Sequence, residues 1–213
     1  MLSGDTEGDS LLTARMPALI LASTSPTRRR ILENAGLSFE TASPGVDEEE
    51  IKLSLKSSGA SGAQIAETLA ELKATRISSK NPDALVIGAD QILSCNGVLF
   101  DKPPDMDHAR AQLQALRGKP HELLTAICIA KAGGRVWHHN AVARLTMRNF
   151  SDEFLDAYLK QAGTDVLGSV GVYRLEGLGS QLFSRIDGDF FTILGLPLLP
   201  LLGFLRENGI GKT

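Results

Sequence analysis

The chain has 213 residues, of which 43% are hydrophobic and 22% are charged. These proportions match those of soluble globular domains, so they exclude a disordered or fibrous protein, and the length is sufficient for one substantial core. The net charge of −3 gives no general attraction to nucleic acid or to an anionic membrane, so any anion must be bound by a local patch of charge.

The N-terminal residues and the cysteines indicate the domain limits and the location. Residues 1–16 lack the apolar segment of a secretory signal, so we predict a disordered extension there and a single domain over residues 17–209. Cys95 and Cys128 lie in strand-like apolar segments, and we expect no disulfide framework and a cytoplasmic location. The longest apolar stretch, residues 194–202, is interrupted by glycine and proline and is too short to cross a bilayer.

The first predicted elements are a strand and a helix within ILASTSPTRRRIL, residues 20–32. The apolar run ending at Ala22 predicts the strand, and Ser25 followed by Pro26 predicts the N-cap and the first residue of the helix. Three consecutive arginines, residues 28–30, then fall in the first turn, where the helix dipole disfavours cations. An anionic ligand in front of this helix would explain them.

A short strand, an acidic loop and a second helix are predicted next. The strand covers residues 39–41, and the sequence SPGVDEEEIK, residues 43–52, predicts a loop that leaves the sheet. Ser61 and Gln64 form a capping box at the start of the helix. Its apolar face is predicted from three residues at helical spacing: Ile65, Leu69 and Leu72.

The central segment predicts two strands, a tight turn and a returning strand. The first strand ends at Gly88, the second covers residues 91–95, and Asn96-Gly97 is typical of a type I′ turn before a strand that ends at Phe100. Asp90 is therefore expected at the end of a strand.

The remaining sequence predicts helices at both sides of a hairpin. We expect a helix over residues 105–116, a hairpin of residues 121–131 and 136–147, and a helix over residues 152–160 capped by Ser151. A glycine-rich segment, residues 168–183, precedes a C-terminal helix over about residues 197–206. Strands, helices and hairpins without an internal repeat predict a mixed-sheet α/β or α+β fold.

Three motifs are rejected as functional sites. GIGKT at the C-terminus lacks the earlier glycine of a phosphate-binding loop, because Arg206 stands there, and no helix can follow it. GLGSQL, residues 177–182, lacks the third glycine of a dinucleotide fingerprint. His138 and His139 are adjacent on a strand, so they point to opposite faces, and we interpret them as surface or packing residues rather than metal ligands.

The remaining charged residues are ambiguous singly and more informative together. An arginine cluster usually lies on a solvated helix face, and single lysines are usually exposed. Here a cationic helix start, an acidic loop, a helix lysine, an expected strand-end aspartate and DKP, residues 101–103, occur in one chain. Such a set supplies cations for a polyphosphate and carboxylates for a divalent cation.

In their residues and in their order along the chain, these motifs resemble those of the Maf family of nucleoside triphosphate pyrophosphatases. The resemblance extends from Leu19 to about Gly209 and rests on LASTSPTRR, VDEE, LAELKA, IGADQ, DKP, GKPHELLTA, YRLEGLG, IDGD and LGLP. It implies a Maf/ITPase-like fold, with a central mixed sheet flanked by helices, two lobes around a cleft and often a homodimer. It also implies hydrolysis of a nucleoside triphosphate to a monophosphate and pyrophosphate.

The resemblance also implies roles for individual residues. It makes Ser23, Arg28 and Arg29 phosphate contacts, while Arg30 is interpreted as a solvated helix residue. Lys73 and Lys102 would stabilise charge on the phosphoryl oxygens and on the leaving pyrophosphate. Glu48 and Asp90 would approach one Mg²⁺ or Mn²⁺ ion, with Asp90 also orienting or deprotonating the attacking water.

Two further residues concern the base. Gln91 and Glu176 would face the base or the ribose, and GADQ and EGLG look more like the 7-methyl-GTP branch of the family than the dTTP/UTP branch. A glutamate suits 7-methylguanine, because that base carries a positive charge.

Two other functions stay open at this point. One is a non-catalytic nucleotide-binding regulator of septum formation, and the other is a nucleotidyl or phosphosugar transferase. Asp90 argues against pure binding, because a carboxylate beside phosphates repels them unless a metal intervenes. In the leading interpretation the partner is a nucleoside triphosphate, with no nucleic acid and no membrane.

Overall fold

The computed structural model describes residues 18–211, so the extension predicted over residues 1–16 lies outside the described residues. The elements in chain order are β1 (Leu19–Leu21), α1 (Pro26–Asn34), β2 (Glu40–Thr41), α2 (Glu48–Ser57), α3 (Gly62–Ser78), β3 (Leu85–Cys95), β4 (Val98–Phe100), α4 (Met106–Leu116), β5 (Pro120–Lys131), β6 (Gly134–Met147), α5 (Asp152–Ala162), β7 (Phe183–Asp187), α6 (Phe190–Ile193) and α7 (Leu198–Glu207). Short 3₁₀ turns cover Gly163–Gly168 and Leu178–Leu182.

The strands form one mixed sheet, which confirms the predicted fold class. Its order is β2-β1-β3-β5-β6-β7, and β4 also pairs with β3. Strand β1 runs parallel to β2 and β3, whereas the other pairs are antiparallel. Helices flank this sheet, and none within residues 18–211 is long and apolar enough to span a membrane.

One edge of β3 changes its partner and thereby leaves a gap. Strand β1 pairs with residues 85–87 and β4 pairs with residues 93–95, whereas β5 pairs along the opposite edge. Among the described strands, none pairs with residues 88–92 on the first edge. The chain leaving β1 toward α1 and the chain leaving β4 both begin at this gap, which is the kind of switch point where ligands bind.

Two hydrophobic clusters lie on one face of the sheet and form the two lobes. One surrounds Ile87 with side chains from β1, α1 and α7, and the other surrounds Leu93 with side chains from α4 and α5. Between them, Gln91 lies opposite Thr125 in the sheet, and its Nε2 donates to Thr125 Oγ1 at 2.8 Å. Helix α3 covers the other face of the sheet.

The predicted caps and turns are confirmed. Ser25, Ser61 and Ser151 each accept a hydrogen bond from a backbone N–H in the first turn of their helix. The turn between β3 and β4 has φ values of 51° at Asn96 and 80° at Gly97, as a type I′ turn requires.

The prediction that a strand ends at Gly88 is wrong. Strand β3 is continuous from Leu85 to Cys95, so Asp90 lies in its interior rather than at an end. The glycine is needed because α3 packs closely on the sheet: a Cβ at Gly88 would collide with the Ala70 carbonyl oxygen and lie 2.7 Å from the Ala74 nitrogen.

The apolar face predicted for α3 is also corrected. Leu72 is 37% exposed, and the position that completes the buried stripe after Leu69 is instead held by Lys73, which is 4% exposed. A charged residue therefore occupies the sheet-facing side of this helix.

The acidic loop is in fact partly helical. Helix α2 begins at Glu48, where Asp47 caps it by accepting a hydrogen bond from the Glu50 nitrogen at 3.1 Å, and acidic residues in its first turn suit the helix dipole. Its apolar face is short: Ile51 and Leu55, one turn apart, pack against the core but are only partly buried.

Candidate active site

A cleft of about 700 Å³ opens at the gap in the sheet. Its walls come from the turn between β1 and α1, from α2 and α3, from the middle of β3, from the loop after β4, from residues 168–176 and from the end of α6. The size suits a nucleotide-sized ligand. Most of the residues assigned by resemblance line this cleft.

Lys73 joins the two predicted carboxylates at the base of the cleft. Its Nζ lies 2.7 Å from Asp90 Oδ1 and 2.7 Å from Glu48 Oε1. A buried ammonium requires such partners because removing it from water is costly. Helix α3 and strand β3 place Lys73 against Asp90, and the first turn of α2 brings in Glu48.

The two carboxylates differ in their surroundings. Asp90 is 5% exposed, and its second oxygen, Oδ2, is buried with no hydrogen-bond partner among residues 18–211. Burial acts to raise the pKa of Glu48, but the charge and hydrogen bond of Lys73 outweigh it and hold this pKa below its ordinary value. Glu48 is therefore ionised at neutral pH.

Arg28 closes the opposite side of the gap. Its Nε donates to the Gly195 carbonyl at 2.8 Å, and its Nη1 donates to the Ala89 carbonyl at 2.9 Å and to Ser23 Oγ at 3.5 Å. Burial lowers the pKa of this guanidinium, and it outweighs the negative charges of Asp90 and Glu48, which act to raise the pKa. Of the five N–H donors of an arginine, these contacts use three and leave others for an anion.

Two lysines on one wall add positive charge. Lys102 follows β4, and burial, reinforced by the positive charge of Arg28, lowers its pKa. Lys52 of α2 also lines the cleft, and its Nζ lies 2.8 Å from Asp101 Oδ1. Burial acts to lower the pKa of Lys52, but the hydrogen bond and charge of Asp101 outweigh it and raise the value.

Lys52 was missed in the sequence because α2 was predicted as a loop. Once α2 is recognised as a helix, Lys52 lies one turn after Glu48 and on the same side. An N-cap at Asp47 followed by Ile51 and Leu55 at helical spacing is the signal that would have identified this helix.

Gln91 and Glu176 both line the cleft, and they differ in the partners that hold their side chains. The amide nitrogen of Gln91 is engaged by Thr125 and by the Thr192 carbonyl at 2.9 Å, so its side-chain oxygen is the atom left for a ligand. Asp189 caps α6 and thereby fixes that carbonyl. Glu176 lies on the wall formed by residues 168–176, and Arg30 Nη2 contacts its Oε1 at 3.0 Å.

Arg29 is the one predicted contact that the structure does not bring to the cleft. Its side chain is 60% exposed, and its Nε contacts Glu33 Oε1 at 2.7 Å. One residue advances a helix by about 100°, so the neighbour of Arg28 points outward. The charge of Arg29 is thus balanced by Glu33 and that of Arg30 by Glu176, and an anion is needed only to explain Arg28.

These features define a class of protein: a mixed α/β fold whose cleft places cationic side chains beside a pair of carboxylates. The sequence profile of the family described as "Maf-like protein" matches residues 18–208. The chain belongs to this family.

Several similar proteins whose names state an activity match nearly the whole length of this chain. A protein of Paramagnetospirillum magneticum named nucleoside triphosphate pyrophosphatase is 59% identical over 190 residues, which cover 89% of this chain and 98% of that protein. A protein of Granulibacter bethesdensis with the same name is 55% identical and covers 89% of this chain and 96% of its own length. A Brucella abortus protein named 7-methyl-GTP pyrophosphatase is 50% identical, with the same two coverages.

Proposed function

We propose that this protein hydrolyses a nucleoside triphosphate to the nucleoside monophosphate and pyrophosphate. The observation that carries the proposal is the contact of Lys73 with both Asp90 and Glu48 at the sheet gap, opposite Arg28. Cations that bind phosphates surround a carboxylate with an unused oxygen. The names of the relatives agree with this chemistry.

In this proposal, each side chain has a separate task in the reaction. Arg28 and Lys102 bind the phosphates, and Ser23 supports Arg28. Lys73 holds Asp90 Oδ1, so Oδ2 is the oxygen that orients the attacking water and accepts its proton. The water oxygen bonds to the α-phosphorus while the bond to the bridging oxygen breaks, and that oxygen leaves with pyrophosphate.

The carboxylates also fit a divalent cation. Within residues 18–211, no three His, Cys, Asp or Glu residues are grouped as metal ligands, but Mg²⁺ often uses one or two carboxylates together with substrate phosphates and water. The buried Oδ2 of Asp90 without a partner favours such a ligand. Asp90 and Glu48 would hold Mg²⁺ or Mn²⁺, which would offset the negative charge of the triphosphate.

We further propose a modified substrate such as 7-methyl-GTP. Glu176 provides a carboxylate on the cleft wall that Arg30 contacts through Oε1, and a positively charged base would gain more from this carboxylate than a neutral one. The relative from Brucella abortus carries this substrate in its name, whereas the relative from Paramagnetospirillum magneticum carries the general one. The base preference therefore needs direct measurement.

The remaining expectations concern location and assembly. Cys95 and Cys128 are buried free thiols, which favours a reducing compartment such as the cytoplasm. The net charge of −3 favours free nucleotides over nucleic acid as partners. A homodimer stays a prediction that light scattering of the purified protein tests.

A panel of triphosphates tests the proposed reaction. The protein is incubated with GTP, UTP, dTTP and 7-methyl-GTP in the presence of Mg²⁺ or Mn²⁺, and pyrophosphate and orthophosphate are both measured. We expect pyrophosphate, fastest with 7-methyl-GTP. Orthophosphate would mean that another bond is cleaved, and no product from any nucleotide would favour the non-catalytic regulator.

The variant Asp90→Asn tests whether the reaction depends on this carboxylate. We expect its rate of pyrophosphate release to fall by at least about a hundredfold, because the proton acceptor is lost. The control Asp156→Asn makes the same change of charge at an exposed position of α5, and it should retain the wild-type rate.

A further inference from the structure

Helix α2 carries two lysines on the cleft wall that lie outside the motifs of the sequence. Lys52 and Lys56 are one helical turn apart, and both contact the carboxylate of Asp101, which directly precedes Lys102. Lys52 Nζ lies 2.8 Å from Asp101 Oδ1, and Lys56 Nζ lies 3.2 Å from Asp101 Oδ2. Each oxygen of this carboxylate therefore has its own ammonium partner.

The two lysines differ in how much of each side chain is exposed. The side chain of Lys52 is 17% exposed, whereas that of Lys56 is 38% exposed. Lys52 follows Glu48 by one turn, so it shares the side of α2 from which Glu48 reaches Lys73. Lys52 is thus the inner lysine of the pair and Lys56 the outer one.

Two ammonium groups lie together on one wall of the cleft. Lys52 and Lys102 belong to the wall formed by α2 and the loop after β4, beside the carboxylate of Asp101. The wall formed by residues 168–176 carries one charge of each sign, Arg174 and Glu176. The first wall can therefore offer two ammonium groups to neighbouring phosphates, which favours a phosphate chain that extends toward Lys52.

The two partners of this contact differ in exposure. Asp101 is 49% exposed, so water can reach its carboxylate if Lys52 leaves it, whereas Lys52 is 17% exposed and requires an anionic partner. A pyrophosphate group offers a higher charge than one carboxylate. If Lys52 turns to a phosphate oxygen, Asp101 keeps Lys56, so the exchange leaves no charge unpaired.

We propose that Lys52 is a substrate-binding residue that exchanges Asp101 for an oxygen of the terminal phosphates, the part of the nucleotide that leaves as pyrophosphate. The inference rests on the proposed function for the identity of this leaving group. It adds to the site a residue from α2 and gives Asp101 the role of a resting partner for Lys52.

Binding of pyrophosphate tests the exchange without turnover. Magnesium pyrophosphate is titrated into wild-type protein and into Lys52→Gln, Asp101→Asn and Lys160→Gln variants by isothermal calorimetry. We expect Lys52→Gln to raise the Kd by at least about tenfold, because a charge-assisted contact is lost. Asp101→Asn should lower the Kd by about twofold to fivefold, because the competing carboxylate is removed.

The opposite signs of these two effects separate exchange from a purely structural ion pair. If the pair only held α2 in place, both variants would lose the same contact and both would weaken binding, which would overturn the proposal. Lys160→Gln is the control for the loss of one positive charge at an exposed position of α5 outside the cleft, and it should change the Kd by less than about threefold. A Lys52→Gln effect no larger than this would also overturn the proposal.

The two proposals fail in different ways. Wild-type protein that converts no triphosphate but binds pyrophosphate through Lys52 would refute the proposed reaction and keep the binding site. Wild-type protein that releases pyrophosphate while Lys52→Gln binds it normally would refute the exchange alone. Urea unfolding of each variant verifies that the folded state persists.

Discussion

At the residue scale, the site depends on a lysine placed where an apolar residue would normally lie. Lys73 is on the sheet-facing side of α3, and its ammonium is stabilised by Asp90 and Glu48. The side chains of Lys73 and Asp90 are 5% and 7% exposed, so the buried charge of Asp90 depends on Lys73, while Lys73 shares its charge between Asp90 and Glu48. The same pair orients Asp90 for its proposed role.

Replacing Lys73 therefore affects stability as well as activity. We expect Lys73→Met to lower the free energy of unfolding by about 3 kcal/mol, because it leaves the buried carboxylate of Asp90 uncompensated. Urea denaturation measures this loss. The double variant Lys73→Met/Asp90→Asn should be more stable than the sum of the single changes implies, and strictly additive losses would show that the two side chains are not coupled.

The arginines at the start of α1 provide a second test on single residues. Arg28→Ala should raise the KM for the nucleotide by about tenfold or more, because a charge-assisted contact contributes about 1.5–3 kcal/mol. Initial rates over a range of nucleotide concentrations measure it. Arg29→Ala is the matched control on the same helix, and it should change KM by less than about twofold, since it loses only an exposed ion pair. Equal effects would contradict the assignment of Arg28 alone to the cleft.

At the element scale, the close packing of α3 on β3 positions the lysine. Gly88 permits this approach because its missing Cβ leaves space for the backbone of α3 at Ala70 and Ala74. Any side chain at this position moves the helix away from the sheet and Lys73 away from Asp90.

Gly88→Ala should be destabilising for this reason. We expect the free energy of unfolding to fall by about 1–3 kcal/mol, as for other overpacked sites. The control is Gly203→Ala in α7, where a Cβ meets no atom within 4 Å, and it should raise stability by about 0.4–1 kcal/mol. A neutral Gly88→Ala variant would mean that α3 can shift without cost.

The contact between β5 and the glycine-rich segment predicts a pH dependence of stability. His121 of β5 is 2% exposed, its Nε2 lies 2.9 Å from Tyr173 Oη, and burial lowers its pKa from 6.5 to about 4. The unfolded chain therefore takes up a proton at a higher pH than the folded protein does. The contribution of the neutral His121 to the free energy of unfolding is fully present above pH 6.5 and is lost as the pH falls toward 4.

Unfolding in urea between pH 7 and pH 4 measures this effect. We expect His121 to account for a loss of about 3 kcal/mol over this range. A His121→Leu variant should show a flatter profile over the same range, whereas His138→Gln, a change at an exposed histidine, should retain the wild-type slope. Identical slopes in all three proteins would show that His121 is not the responsible group.

At the scale of the whole molecule, two hydrophobic clusters share β3 and β5 and leave a cleft at the edge of β3. The cleft carries both signs of charge, and the carboxylates contact Lys73 directly. The folded state therefore does not need a metal ion to keep Asp90 and Glu48 close together.

Removal of metal should accordingly separate activity from stability. We expect EDTA to abolish pyrophosphate release and to change the free energy of unfolding by less than about 0.5 kcal/mol in the absence of nucleotide. Urea denaturation with and without the chelator measures the second effect, and re-addition of Mg²⁺ or Mn²⁺ restores the first. A large loss of stability in EDTA would indicate a structural ion instead.

Much of the local structure was predictable because its causes are local. The caps at Ser25, Ser61 and Ser151 and the turn at Asn96 depend on a few neighbouring residues, and each lies where the sequence predicts. Most of the residues identified from the order of the motifs also line the cleft. Helix α2 was missed because its apolar face is limited to the partly buried Ile51 and Leu55 after a run of acidic residues, and Lys52 was missed with it.

By itself the sequence determined the class of fold, the family and the charged residues that a polyphosphate would need. Only the tertiary structure decided that Gly88 lies inside a continuous strand, that Arg29 points away while Arg28 faces the gap, and that Lys73 contacts both carboxylates. These facts depend on which segments pack together, since the gap arises where β1 and β4 pair with different parts of β3. Contacts between residues far apart in the chain leave little trace in the spacing of neighbouring residues, which is why local patterns alone did not predict them.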